Sequence, residues 1–538
     1  MPGLNSIWFR YGALTSAIGR KQTIAILLFS VAISAWLIGG QVLRASWGMI
    51  DDHDTIRMIG AGNHHLPLGQ YFHVLFTQTE LGSIGKYTRF RPFYYPALLG
   101  EAVVWGDNVH LWYASRVGLL AIFIAGVWLV VARHLGAIIG LAVVLIVMRA
   151  PFWGDVWARL GPGEIYGAAG LGLWLVGIEA MFTASRRRIR SLGLFAVTIG
   201  TVMMVGSKET LFPFAGYSLA AMALYVYLHR DSLAAKINLA FILVYSALSA
   251  FAIGLALSRA GQDFLGRPVG LGERLAQILS PLGESGVKFL LPALVVLGLT
   301  AVVVRWLTRD DSEFRNAWLG PAVIYGVGVA VTWSLYLSQY IGYNGQWPTG
   351  YRYDFPGVFA FPALVVISIV FVTTVLRPFL WLNMAVRGCA LAGAAAVIVM
   401  ALVRLPFPLS TAVAANIDLT AKFQKTLSEL SELAHKDPKT PIVLRANGAW
   451  TYEKIVSVAV YLHGYYKIAN PIAIKFYPDP NPNPQLVALG QIIKQWELNG
   501  GRDEFVPLAT IEERAKSGCL SIGFDGPAEP GCGGGARL

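Results

Sequence analysis

The chain of 538 residues has little charge and almost no cysteine. Charged residues make up only 14% of it, against about 25% in soluble globular proteins, and 55% of the residues are hydrophobic. This composition excludes a soluble enzyme of this length, and it is too apolar for intrinsic disorder. The three cysteines exclude a disulfide framework and a cysteine-rich metal site. Cys519 and Cys532 would either pair in an oxidising compartment or remain free thiols.

The charge balance is basic, with 43 Lys and Arg residues against 31 Asp and Glu residues, a formal charge of +12. In a soluble protein this excess would suggest nucleic acid as a partner. In so apolar a chain it indicates basic loops on the cytoplasmic side of a membrane. We therefore expect membrane lipids around the protein and no nucleic-acid partner.

Long apolar runs continue to residue 403, and a membrane span needs about 20 mostly apolar residues. Eleven segments are candidates, at 23–43, 112–132, 136–148, 165–183, 191–206, 210–228, 237–257, 287–306, 318–341, 355–376 and 386–403. Basic clusters, such as the one at 186–190, fall on one side of the membrane if the N-terminus is cytoplasmic. The first loop, 44–111, then lies outside.

Residues 404–538 have a different composition, in which helix and strand patterns alternate. A helix is predicted over 418–434, with an apolar stripe at Leu419, Phe423, Leu427, Leu430 and Ala434. Buried strands are predicted at 441–446, 471–476 and 519–524, with helices between them that begin at Thr451 and Pro484. The sequence therefore predicts a transmembrane domain over 1–403 and a small extracytoplasmic α/β domain over 404–538, with a disordered tail.

Three carboxylates occur in four residues at the outer end of the first span, Asp51, Asp52 and Asp54 in WGMIDDHD. Adjacent carboxylates repel, which raises the proton affinity of one of them and suits it to accept a proton. The alternative is a solvated helix cap.

Five of the nine histidines occur in this part of the chain, at His53, His64, His65, His73 and His110. They make a divalent metal conceivable, although their spacing matches no closed zinc pattern.

Basic residues follow on the same predicted side. Arg89 and Arg91 lie in YTRFRPFYYP, before a stretch typical of an interfacial helix, and two guanidinium groups can hold a phosphate. The other candidate substrate-binding residues are at the outer ends of later spans: Lys208, Glu209, Tyr351 and Arg352. For Lys208 and Glu209 the alternative is an ion pair that caps a helix. Four further charges are interpreted as solvated loop residues: Asp155, Arg159, Glu164 and Asp263.

In this order, the pieces resemble the polytopic glycosyltransferases of the GT-C fold, which include protein O-mannosyltransferases and lipid A aminoarabinose transferases. That family has an acidic pair after its first membrane helix, and Asp51–Asp52 match it. RFRPFYYPALLGEAVVWGDN resembles its outer-loop segment, in which a basic or aromatic residue precedes proline. A mid-chain lysine and a late Arg-Tyr are matched by Lys208, Arg352 and Tyr353. The family pair is often Asp-Glu, so Asp51 and Asp52 are both candidates for the base.

The resemblance implies an inverting glycosyltransferase of a bacterial inner membrane, with a sugar on a polyprenyl phosphate as donor. Asp51 or Asp52 would deprotonate a lipid, glycan or protein acceptor, and Lys208 and Arg352, or Arg89 or Arg91, would bind the departing phosphate. The alternatives are an O-antigen ligase or polymerase, in which Arg and His would be essential, and a transporter or flippase, which needs charges within its spans. A third is a non-catalytic assembly partner.

Overall fold

The computed structural model describes residues 18–60, 63–83, 90–260, 279–308, 318–342, 352–483, 486–501 and 504–524, with residues 272, 276, 532, 536 and 537. Two predicted site residues, Arg89 and Tyr351, lie outside the described residues, as do Asp263 and most of the predicted disordered tail. Within the described part, the chain is a polytopic helical membrane protein.

The helices before residue 230 are α1 (Arg20–Ile38), α2 (Gly40–Arg44), α3 (Asp52–Ile59), α4 (Tyr71–Thr77), α5 (Tyr94–Val104), α6 (Val109–Leu135), α7 (Ala137–Met148), α8 (Trp153–Trp157), α9 (Glu164–Thr183), α10 (Arg187–Ser207) and α11 (Pro213–Leu228). The later ones are α12 (Leu233–Ala260), α13 (Pro281–Leu307), α14 (Leu319–Gly342), α15 (Ala360–Val375), α16 (Leu380–Val403), α17 (Pro408–Lys436), α18 (Tyr452–Val460), α19 (Val487–Asn499) and α20 (Leu508–Ser517). Among the described residues, ten helices are long and apolar enough to cross a membrane, namely α1, α6 and α9 to α16, where α11 and α15 are counted with the single turns that precede them, from Glu209 and Gly357.

The segment predicted as a span at 136–148 forms the short helix α7, which has 12 residues. At 1.5 Å per residue it is about 18 Å long, well short of a hydrocarbon layer of about 30 Å. It begins after Gly136, whose φ of 99° ends α6. Its apolar side chains pack with α6 and α16 in one cluster that includes Val131, Ile139 and Ala394. Burial against these two helices therefore accounts for part of its composition, although Ile138 and Ile146 are 54% and 44% exposed.

Small residues hold α9 close to α6 and α10. A Cβ atom at Gly126 of α6 would collide with the backbone of Gly172 in α9. A Cβ atom at Gly193 of α10 would meet the backbone of α9 at Gly177. Glycine at such positions lets helix backbones approach closely within a bilayer. The first residue of α9 consequently lies beside the last residues of α10, which places Glu164 next to Lys208.

A four-stranded parallel sheet follows α17, with strands β1 (Ile442–Asn447), β2 (Ile472–Tyr477), β3 (Leu520–Gly523) and β4 (Ala536–Arg537). The strand order is β2-β1-β3-β4. Residues 442–537 are called the α/β unit below. Three of the strands coincide with predicted ones, whereas α20 and β4 were not predicted. A disulfide bond joins Cys519 to Cys532.

The apolar stripe of α17 differs in one member from the prediction. Leu419 is 59% exposed, and the buried position next to Phe423 is taken by Thr420. The buried face continues towards the N-terminus through Ile417 and Val413, so α17 begins at Pro408, ten residues before the predicted start. A hydrophobic core continues from the membrane helices through α17 into the sheet.

Candidate functional site

The acidic segment forms a strained turn between α2 and α3. Asp51 has φ 68° and ψ −42°, a combination that residues other than glycine rarely adopt. Opposite it, a Cβ atom at Gly161 would overlap the side chain of Asp51, so position 161 has no room for a larger residue. Strain of this kind persists only where the surroundings impose it, and it is concentrated at functional sites.

Asp51 contacts an arginine that is 301 residues away in the chain. Its Oδ2 accepts a hydrogen bond from Nη1 of Arg352 at 3.3 Å. The backbone N–H of Arg352 lies 3.4 Å from Oδ2 of Asp155. The side chains of Asp51 and Arg352 are 29% and 21% exposed, so both can be reached by a ligand. This contact brings together the predicted acidic and late Arg-Tyr motifs.

Asp52 lies in a different environment from its neighbour. Its side chain is buried, Oδ2 accepts the backbone N–H of Gly48 at 2.7 Å, and Oδ1 has no hydrogen-bond partner among the described residues. Burial raises the pKa of Asp52 to about 7, an effect that the Gly48 N–H opposes and the charge of Asp51 strengthens. Asp51 is therefore the carboxylate that a ligand can reach. Asp52 instead holds the backbone of the turn through its hydrogen bond with the N–H of Gly48.

The raised pKa of Asp52 predicts that stability falls as pH rises. The unfolded carboxyl ionises near 3.8 and the folded one near 7, so between these values the folded protein binds the additional proton. Above about pH 7 the carboxyl of Asp52 is ionised in the folded state too, so the folded protein bears the full free-energy cost of the buried charge. We expect the free energy of unfolding of the wild type to fall by about 1.4 kcal/mol from pH 6 to pH 8, which lowers the thermal midpoint of so long a chain by about 1 °C.

The matched variant for this effect is Asp52→Asn, whose amide oxygen can still accept the Gly48 N–H. Its midpoint should stay level over the same range and exceed that of the wild type at pH 8. Differential scanning fluorimetry in nanodiscs measures both curves. Parallel pH curves for the two proteins would contradict the buried, high-pKa carboxyl.

The predicted cations lie near one another, and each is paired with a carboxylate. Nζ of Lys208 lies 2.5 Å from Oε1 of Glu164, and both side chains are buried. Nε of Arg91 lies 3.6 Å from Oε1 of Glu209, which also accepts the N–H of Phe90 at 3.1 Å.

The positive charges of Arg91 and Arg352 both act on Lys208. Arg91, Lys208 and Arg352 therefore form a cation cluster, with Glu209, Glu164 and Asp51 as their respective partners.

The remaining predicted acid and the histidines of the first loop contact other groups. Asp54 pairs with Arg57 one turn along α3, at 3.1 Å. His53 hydrogen-bonds to Oγ of Ser457, His64 to Asp107 and His110 to the carbonyl oxygen of Val42. In the part of the chain that the structure describes, no three His, Cys, Asp or Glu side chains converge as metal ligands.

A buried ion pair beneath the acidic turn was not predicted. Arg116 of α6 is fully buried and donates two hydrogen bonds to Glu101, at 2.7 and 2.8 Å. Tyr166 of α9 donates a third to the same carboxylate, at 2.6 Å. The charge of Arg116 also acts on Asp52. An arginine within the apolar run ASRVGLL was the sequence signal, because a charge there is rarely without a role.

The other unpredicted feature is the contact between the acidic segment and the C-terminal part of the chain. Tyr461 donates a hydrogen bond to the carbonyl oxygen of Gly48 at 2.8 Å, and Gln424 donates to that of Trp47 at 2.9 Å. Burial raises the pKa of Tyr461 well above its usual value, which keeps the hydroxyl a donor. The turn is thus held by α17 and the α/β unit. Nothing in the sequence pattern indicated these long-range partners.

Comparison of the chain with protein-family models, with curated proteins and with solved structures gave no match. The resemblance to GT-C enzymes therefore stays a prediction from the sequence motifs and their order.

Proposed function

We propose that the protein is a membrane glycosyltransferase that moves a sugar from a polyprenyl phosphate to a hydroxyl acceptor, with inversion at the anomeric carbon. The observation that carries the proposal is the contact between Asp51 and Arg352, both reachable, at the strained turn. A base beside a phosphate-binding cation is the pairing that such a transfer needs. The cation cluster supplies further positive charge near the place where the leaving phosphate would lie.

The proposed reaction begins with exchange of partners at Arg352. The donor phosphate binds its guanidinium group, which matches a phosphate in two-point geometry, and so releases the carboxylate of Asp51. Asp51 then takes the proton of the acceptor hydroxyl as its oxygen attacks the anomeric carbon. The bond from that carbon to the phosphate oxygen breaks, and the electron pair leaves with the polyprenyl phosphate. Arg352 stabilises the added negative charge, with Lys208 and Arg91 behind it.

Asp52 is a positioning residue in this scheme because it is buried and holds the backbone of Gly48. Glu164 and Glu209 keep Lys208 and Arg91 in place by their ion pairs. The charges of the cluster lie at helix ends: Glu164 is the first residue of α9, and Lys208 follows the last residue of α10. A transporter would instead place such groups at the midplane, in broken helices.

The proposed setting is the outer face of a bacterial inner membrane, with the N-terminus cytoplasmic and the α/β unit in the periplasm. This orientation is supported by the basic residues at the start of α10, Arg186 to Arg188. The acceptor is a lipid, glycan or protein of the cell envelope. The proposal requires no metal ion, and a divalent cation in the assay is a variable to be tested.

The test is an assay of the purified full chain in nanodiscs with a panel of synthetic polyprenyl-phosphate sugars and envelope extracts as acceptors. Chromatography of the lipid products measures the release of polyprenyl phosphate. We expect release with at least one donor, and a stereochemically inverted product. No release from any donor, with or without divalent cations, would contradict the proposed function.

Because Gly161 packs against Asp51, a substitution at Gly161 tests in the same assay whether the position of Asp51 matters. Gly161→Ala places a methyl group where the side chain of Asp51 lies, so Asp51 must shift and its contact with Arg352 is disturbed. We expect transfer to fall at least about tenfold, since a misplacement of about 1 Å is costly to catalysis. The matched control is Gly118→Ala on α6, where an added Cβ atom meets nothing within 4 Å. Equal rates for the two variants would show that the position of Asp51 is unimportant.

A further inference from the structure

An arginine inside the α/β unit has a buried guanidinium group with unused donors. Arg445 of β1 is only 5% exposed, and neither Nε nor Nη2 has a hydrogen-bond partner in the described structure. The group lies over Gly523 of β3, where a Cβ atom would overlap it. Arginine stays protonated at any physiological pH, so this is a buried positive charge. Such a charge is costly unless an anion pairs with it.

A second polar group without a partner lies on the same face of the sheet. Ser521 of β3 is fully buried, and its Oγ has no hydrogen-bond partner among the described residues. It precedes Gly523 by two residues, and alternate residues of a strand share a face. Ser521 is in register with Val443, and Gly523 with Arg445. The hydroxyl and the guanidinium group therefore lie on one face, on neighbouring strands.

Arg445 and Gly523 lie towards the carboxyl ends of β1 and β3, the edge at which parallel α/β folds bind ligands, and Ser521 lies two residues further into the sheet. The strand order is β2-β1-β3-β4. The chain runs from β1 to β2, on one side of β1, and then to β3, on the other side of β1. The two connections cover opposite faces: Ile455 of α18 packs in the core with Leu444, and Ile511 of α20 packs with Val443. Ligands bind at the carboxyl ends of the strands at such a reversal. Gly523 is the last residue of β3.

The carboxylates near this edge of the sheet already have partners. Glu497 of α19 accepts the N–H of Phe476 and forms an ion pair with Lys494. Asp479, which follows β2, accepts the backbone N–H of Asn481. Among the described residues, neither carboxylate forms an ion pair with Arg445. An oxyanion from outside the chain would accept hydrogen bonds from the guanidinium group in two-point geometry and a further one from a serine hydroxyl.

We infer that the α/β unit binds an oxyanion, the phosphate or carboxylate group of a ligand, between Arg445 and Ser521 at the junction of β1 and β3. The small exposed fraction of Arg445 admits a terminal group rather than a whole large ligand. The absence of a side chain at Gly523 leaves the space that the guanidinium group occupies. This site lies on a different part of the chain from the cation cluster and does not depend on glycosyl transfer.

The test measures the thermal midpoint of the full chain in phosphatidylcholine nanodiscs, titrated with inorganic phosphate or with acetate at constant ionic strength. A ligand that binds only the folded state raises the midpoint in a saturable way. We expect such a rise with at least one of the two anions. Arg445→Met should abolish it, and should raise the midpoint in the absence of anion because an unpaired buried charge has been removed. No saturable rise, or a lower midpoint for Arg445→Met at every anion concentration, would overturn the inference.

The control is Arg514→Met on the exposed surface of α20, which should leave the response to the anion unchanged. If Arg445→Met fails to fold, Arg445→Lys keeps the charge but loses the two-point geometry, and should weaken anion binding about tenfold. Unchanged affinity in Arg445→Lys would contradict the site. Nanodiscs of phosphatidylglycerol distinguish the sources: a rise without added phosphate that Arg445→Met abolishes identifies a lipid headgroup, and a rise only on titration identifies a soluble anion.

Discussion

Asp51→Asn should abolish sugar transfer while leaving the protein folded. The amide cannot accept the proton of the acceptor hydroxyl, and the loss of a general base lowers rates by about 10²- to 10⁴-fold. Its oxygen can still accept the hydrogen bond from Arg352, so the shape of the strained turn is preserved. Initial rates of polyprenyl phosphate release and the thermal midpoint, both measured in nanodiscs, separate loss of chemistry from loss of fold.

The control for this prediction is Asp107→Asn, the same substitution at an acid that pairs with His64 at 2.8 Å. It should retain nearly the full rate. Asp52→Asn tests the division of roles, since a positioning residue should affect the rate less than the base does. If Asp51→Asn is active and Asp52→Asn is not, the base is Asp52. Full activity of the double variant would refute the glycosyltransferase assignment.

The spans could be predicted because a bilayer demands long apolar helices whatever their tertiary contacts are. The predicted run 112–132 lies within α6, and 191–206 within α10. The run 136–148 is equally apolar but forms a helix too short to span, and part of its apolar surface is buried against α6 and α16. Composition reports the environment of a side chain, and it does not distinguish lipid from the interior of the protein.

The α/β unit was predictable to the extent that its elements have local signals. Strands β1 and β2 follow prolines and have continuous apolar runs, whereas β4 has two residues and no strand pattern. The stripe of α17 was placed through Leu419 by a spacing of four from Phe423. The helix has 3.6 residues per turn, so Thr420, three residues away, also meets that face, and it is the residue buried there. Because Thr420 is polar, a pattern of apolar residues did not include it.

The site could be predicted only as a set of charges on one side of a membrane. Which charge contacts which depends on helix packing, and the Asp51–Arg352 contact joins residues that are 301 positions apart. Glu164 was interpreted as a solvated loop charge because nothing in the sequence shows that glycines draw α9 against α10. Its burial beside Lys208 is a consequence of that packing. The predicted phosphate-binding lysine therefore also has a structural partner.

Lys208→Met should destabilise the protein by about 3–5 kcal/mol, the usual cost of leaving one partner of a buried ion pair alone. The uncompensated group is Glu164, which is as buried as the lysine. The double variant Lys208→Met/Glu164→Gln removes both charges and should recover most of the stability. Thermal midpoints and denaturant midpoints in nanodiscs measure the loss and the recovery.

The control pair is Lys516 and Glu513 of α20, whose Nζ and Oε1 atoms are 2.7 Å apart but whose side chains are 66% and 86% exposed. Lys516→Met should cost less than about 1 kcal/mol, because exposed pairs contribute little. The transfer assay then separates structure from function at Lys208. If the lysine also stabilises the leaving phosphate, the double variant recovers its fold but stays at least about tenfold slower than the wild type. Recovery of both stability and rate would restrict Lys208 to holding α9 against α10.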